Sequence, residues 1–133
     1  MRELMGLLLP HGVRFWMSGH LKSMARVLDV VDAFQPGQAS FRPYWSVPAW
    51  DGMAQQNRLV ISAYQRDDDV LLLVTNLGDS ARDVCVPLPG DLFAGAAPSE
   101  LDDPLDELAA TLTDGGLQLS VRGRNLRIIR LSR

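Results

Sequence analysis

Residues 59–88 read LVISAYQRDDDVLLLVTNLGDSARDVCVPL, and the fold is decided there. Three runs of aliphatic, β-branched and aromatic residues are separated by polar turns. Leu59–Gln65 reads as a strand, Asp67-Asp68-Asp69 as a turn, and Val70–Thr75 as a second, strongly apolar strand. Asn76–Ser80 is the next turn, with Gly78 available for a positive φ, and Arg82–Leu88 is the third strand. Strands joined by turns this short pair antiparallel.

Working toward the C-terminus, Pro89–Gly95 is a loop. Asp103-Pro104, followed by Asp106 and Glu107, combines an N-cap, a proline at the first helical position and first-turn acids, which predicts a short helix or helical turn over Pro104–Ala110. Leu117–Val121 alternates, Gly123-Arg124 turns, and Leu126–Leu131 follows. Together they predict a closing hairpin that sets Leu117, Leu119 and Val121 against Leu126, Ile128 and Ile129 or Leu131.

Before residue 57 the text changes character. Arg2–Leu9 reads as a helix stopped by Pro10-His11-Gly12, and Val13–Met17 as a short strand. Leu21, Met24, Leu28, Val31 and Phe34 recur at helical spacing and predict a helix that ends before Pro36-Gly37. Buried at about 25 cal/mol per Å², that stripe contributes several kcal/mol, so it needs a surface to cover it. Residues 35–57 form a connector, with a strand over Phe41–Trp45 and irregular chain from Ser46 to Asn57. The expected fold class is α+β: a helix–strand–helix segment with its connector (1–57), then an antiparallel β-sandwich (58–133).

The totals bound the function. A chain of 133 residues, 47% hydrophobic and 22% charged, builds one core. A net charge of −3 offers no polycationic face, so neither nucleic acid nor an anionic membrane is an expected partner. Lys22 is the only lysine, a bias read as genomic composition. Cys85, the single cysteine, excludes an internal disulfide or CxxC motif and reads as a small buried hydrophobe in Val84-Cys85-Val86. The apolar run Leu4–Leu9 is too short for a membrane span, and Glu3 spoils it as a signal peptide.

Three phrases carry a family resemblance: GLLLPHGVRFW (6–16), ISAYQRDDDVLLLVTNLGDSARDVCVPL (61–88) and DGGLQLSVRGRNLRIIRL (114–131). They resemble the end of bacterial glycoside-hydrolase-like proteins in which a TIM barrel is followed by a C-terminal β-sandwich. The resemblance implies that 2–9 correspond to the seventh barrel helix, 13–17 to the eighth strand and 21–34 to the eighth helix. It implies a C-terminal piece of such a protein, since a barrel needs eight strands.

Glycosidic cleavage uses two carboxylates about 5–10 Å apart, at the ends of barrel strands. The one barrel-like strand here ends in Trp16-Met17-Ser18-Gly19-His20, without an acid, so no catalytic residue is expected in this chain. Trp16 and His20 would face the mouth of a complete barrel and reach substrate; otherwise Trp16 is core and His20 a helix cap. Tyr44, Trp45 and Trp50, with Asp51 beside them, are the densest aromatic group. Flat rings suit sugar CH faces and a carboxylate binds hydroxyls, so these four residues are a candidate carbohydrate platform, or else the glue between connector and sandwich. Asp67–Asp69 reads as a solvated hairpin tip rather than a calcium loop. No cofactor or metal site is expected.

The expected function is a non-catalytic accessory module of a carbohydrate-active protein. The alternatives are a stand-alone carbohydrate-binding module and an oligomerisation or protein-interaction domain. The expected partners are carbohydrate, the absent barrel, or a second copy docked on the Leu21–Phe34 helix face.

Overall fold

In a computed structural model describing residues 2–12, 22–93, 96–105 and 109–133, the chain runs through α1 (Arg2–Leu8), α2 (Lys22–Ala33), β1 (Ser40–Arg42), α3 (Pro48–Asn57), β2 (Leu59–Arg66), β3 (Asp69–Asn76), β4 (Arg82–Val86), β5 (Glu100–Asp102), β6 (Ala110–Thr113), β7 (Gly116–Val121) and β8 (Asn125–Ser132). The structure is mixed α and β. All described strand pairings are antiparallel, in a five-stranded sheet of order β1-β2-β3-β8-β5 and a three-stranded sheet of order β4-β7-β6. The expected strand over 13–17 lies outside the described residues.

The apolar run of β3 explains the layering. Successive side chains of a strand point to opposite faces, and a strand apolar at every position must be covered on both. Val70, Leu72 and Val74 enter a core shared with Ile61, Ala63, Ile129 and Leu131 of the large sheet and Val86, Leu117, Leu119 and Val121 of the small one. Leu71 and Leu73 point the other way, into a second core with Tyr64, Leu126 and Ile128. Met5, Met24, Val27, Val31 and Phe34 of the helical layer roof that second core.

The α2 stripe is therefore spent on this chain's own sheet. Met24, Val27, Val31 and Phe34 are buried, whereas Leu28 is only half-buried and the outward Arg26, Asp29 and Asp32 are exposed. Gly6 lets α1 lie close: a Cβ there would stand 2.7 Å from Cγ2 of Thr75 in β3.

Several expectations are corrected. Ser46–Asn57 is not irregular, because Pro48–Asn57 forms α3, with proline in its first turn and Arg58 closing it at φ +55°. Trp50 is its one fully buried residue, so no apolar period was visible. The strand of the connector is Ser40–Arg42; Pro43 ends it, and Tyr44–Ser46 is a 3₁₀ turn. Cys85 is exposed, since Val86 turns inward on β4 and its neighbour must turn out. Gly78 does not adopt a positive φ; at the hairpin tip it is Asp67 that does, at +50°. The Asp103 cap forms, with Oδ1 accepting the Leu105 N–H at 3.2 Å, and a turn follows at 104–105, but Ala110 belongs to β6 and not to the expected helix or turn. Residues 106–108 lie outside the described residues.

The closing hairpin is also corrected. β7 and β8 follow one another but belong to different sheets, as do β3 and β4. The chain thus changes sheets at both places, and the two corners interlock. Asn76, fully buried, donates from Nδ2 to the carbonyls of Ser80 at 2.8 Å and Val121 at 3.2 Å. Its Oδ1 accepts the Gly78 N–H at 2.9 Å, and the Arg124 N–H donates to the Gly78 carbonyl at 2.8 Å. Gly123 is required by proximity, for a Cβ there would lie 2.1 Å from the Asp79 carbonyl oxygen.

This packing sets the expected cost of two substitutions. Met24→Ala should cost about 2–5 kcal/mol in urea unfolding, with helix and sheet signals lost in one transition; separate transitions would detach α2 from the fold. Asn76→Ala removes three hydrogen bonds of the corner, two of them buried, and should cost at least about 2 kcal/mol, whereas Gln55→Ala on exposed α3 surface should stay within about 0.5 kcal/mol.

Candidate functional site

The first ring of the site comes from a turn that the sequence suggests only as a helix stop. Leu9–His11 continues α1 as a 3₁₀ turn, closed by Gly12 at φ +70° with its N–H on the Leu9 carbonyl. A Cβ on Gly12 would meet the Phe41 ring at 3.2 Å, so the turn sits directly against β1. Buried Ser62 pins the two together: its Oγ donates to the Pro10 carbonyl at 2.6 Å and accepts the Tyr44 N–H at 3.1 Å.

This clasp gathers three rings. Tyr44 stands edge-on to His11 (5.6 Å, 86°) and to Trp45 (5.0 Å, 84°), and His11 lies tilted against Trp45 at 5.8 Å and 31°. Tyr44 is half-buried and packs on the core between the sheets. Trp45 remains 53% exposed; the other large hydrophobic residue so exposed among those described is Leu7, at 43%. The carbonyl of Leu7 accepts His11 Nδ1 at 2.7 Å. A carbonyl cannot donate, so Nδ1 carries the hydrogen, and the neutral ring keeps its acceptor lone pair on Nε2.

The other expected site residues go elsewhere. Trp50 is fully buried, and its Nε1 donates to the Pro87 carbonyl at 2.8 Å, so its ring offers no face to a ligand. Asp51, in the first turn of α3, accepts from Gln55 Nε2 at 3.1 Å. Trp16 and His20 lie outside the described residues. Of the expected platform, the structure keeps Tyr44 and Trp45 together and adds His11.

A polar pair involves the strand that leads into the rings. Arg42, two residues before Tyr44, forks onto Asp91 with bonds of 2.8 and 3.0 Å. Open spaces of about 560 Å³ and 370 Å³ flank this pair, both lined by Arg42 and Ser46. The Arg42 hydrogen bond, reinforced by its charge, holds the Asp91 carboxyl below its ordinary value. A further groove of about 290 Å³ is walled by residues such as Leu88, Pro89, Phe93 and Pro98, with Asp114 at its edge. At the hairpin tip Asp68 and Asp69 pair with Arg133 and Arg130, at 3.4 and 2.8 Å. Among the described residues no three His, Cys, Asp or Glu side chains gather as metal ligands.

The depressed Asp91 carboxyl acts on stability with a definite sign. A carboxyl whose folded value is lowered stabilises the fold above its ordinary value of about 3.9, and that contribution is lost as pH falls through the lower, folded value. Carboxyl NMR titration should therefore find the Asp91 midpoint below the ordinary value, and Arg42→Gln should return it there; an unmoved midpoint would show the fork to be absent in solution.

Comparison with protein-family models, with curated proteins and with solved structures finds no match to this chain.

Proposed function

We propose that this chain is a non-catalytic, carbohydrate-contacting β-sandwich module of the kind appended to glycoside-hydrolase-like proteins. The observation that carries the reading is Trp45. Burying an indole gains free energy, and a side chain of this size left 53% exposed forgoes about half of that gain. Its backbone is not free to move: Tyr44 on one side is tied to Ser62, and Ser46 on the other donates from Oγ to the Pro43 carbonyl at 2.7 Å. An exposed aromatic face on an anchored turn, with the exposed hydroxyl-bearing Ser46 next in the chain, suits a ligand with one apolar CH face and a rim of hydroxyls. Pyranose rings have that character.

The barrel-remnant reading for residues 1–57 belongs to the same proposal. The polar outer side of α2 (Arg26, Asp29, Asp32) would then face the barrel or solvent, because its apolar side is taken by the sheet. The same seating weakens the oligomerisation reading, since a second copy on the Leu21–Phe34 face would first have to displace the helix.

Affinity electrophoresis in gels containing soluble polysaccharide tests the proposal. The unmodified chain should be retarded in at least one β- or α-glucan gel, Trp45→Ala should run as in a sugar-free gel, and Trp45→Ala should melt within about 0.5 kcal/mol of the parent. Equal retardation of parent and variant in every gel would sink the carbohydrate reading. Turnover of aryl glycosides above the blank would sink the non-catalytic one.

A further inference from the structure

We infer that His11 is the hydrogen-bonding half of the Trp45 subsite, accepting a hydroxyl of a neutral pyranose on Nε2 while the sugar's CH face stacks on the indole. The inference rests on the carbohydrate reading and adds a residue that the aromatic spacing of 44–50 does not contain. Three observations meet at this ring. Nδ1 is fixed as the donor by the Leu7 carbonyl at 2.7 Å, which assigns the acceptor to Nε2. The ring is held from two sides, edge-on by Tyr44 and tilted by Trp45, and its own turn is closed by Gly12. His11 is nevertheless an exposed residue, next to the exposed Trp45.

The spacing decides where the sugar lies. Ring centroids 5.8 Å apart leave no room for a pyranose between His11 and Trp45, since two stacked contacts of about 3.5–4.0 Å each need more than about 7 Å. The sugar therefore takes the open face of Trp45, and His11 meets a hydroxyl at the ring's edge. An acceptor selects ligands that present a donor there, so a neutral hydroxyl is preferred to an O-methyl ether at that position. Stacking contributes most of the affinity and the hydrogen bond sets the orientation, the usual division in sites with few polar groups.

Two substitutions separate this role from a merely structural one. In His11→Asn the new carboxamide reaches where Nδ1 lies and keeps the bond to the Leu7 carbonyl, but nothing stands at Nε2. In His11→Gln the longer side chain reaches the Nε2 position. With cello-, malto- and laminarihexaose as probes, followed by the Trp45 indole ¹H–¹⁵N resonance, His11→Asn should weaken binding about fivefold to tenfold and His11→Gln should retain most of it. The buried Trp50 indole, bonded to Pro87, should not move and serves as the internal reference. Sugar should also shift the His11 Nε2 resonance while leaving Nδ1 in place. The opposite ranking, with the glutamine variant weaker than the asparagine variant, would reduce His11 to a brace for its turn and overturn the inference. Loss of gel retardation in Trp45→Ala with unchanged binding in His11→Asn would overturn it too, leaving the carbohydrate reading intact. Absence of binding by the parent chain to all three probes would overturn both.

Discussion

The carboxamide of Asn76 sits where the chain leaves the large sheet for the small one, beside the point where it later returns. A two-sheet fold with a shared core needs both passages, and at each the backbone gives up its ladder partners. Some of the polar groups freed there are buried, and each of those would cost about 1–3 kcal/mol if left unmatched. One side chain takes two carbonyls, from Ser80 and Val121, and one N–H, from Gly78. Glycine at 123 then lets the second corner lie against the carbonyl of Asp79. The relative position of the two sheets follows from this knot, and with it the shape of the core between them.

Arg127 extends the same logic. It is 1% exposed on β8, yet it donates across to the Ser120 carbonyl of β7 at 2.8 Å and to that of Ala109 at 3.3 Å, and it pairs with Asp103. A buried ion pair is weak evidence for stability, because desolvation offsets its Coulombic gain. It does tie β8 to specific groups elsewhere in the chain: the carbonyls of Ser120 and Ala109 and the carboxylate of Asp103. Apolar burial drives the sheets together without choosing among alignments, and Asn76 and Arg127 do the choosing. The helical layer adds the second half of the apolar driving force, since β3 would otherwise expose Leu71 and Leu73.

Much of this was legible in the sequence, and the parts that were not share one cause. β2, β3, β7 and β8 were readable because alternation or an unbroken apolar run is a local signal. The sheet assignment of β7 and β8 was not, because Gly123-Arg124 looks like a hairpin turn whichever sheet comes next; only contact with Asp79, far away in sequence, decides it. Helix α3 hid because Trp50 is its one fully buried residue, with Met53 only partly buried against the core. That same residue misled the site reading: as text, Trp50 belongs with Tyr44 and Trp45, but a helix begins at Pro48 and rotates it inward. Tyr44 and Trp45 were visible as aromatics next to Pro43. His11 was invisible as their neighbour, since the Ser62 hydroxyl that joins its turn to theirs is a single buried oxygen 52 positions from Pro10.

That oxygen also explains how the aromatic edge can serve recognition at all. Ligand orientation requires that stacking and hydrogen-bonding groups keep their spacing before the ligand arrives, or binding must also supply the ordering free energy. Ser62 lies on β2, between β1 and β3 in the large sheet, so the clasp on Pro10 and Tyr44 inherits the rigidity of the core rather than that of a loop. The rings are thus set by the same apolar burial that holds the sheets together. Trp45 is exposed because the turn that carries it is already anchored through its neighbours, and the fold does not need its burial.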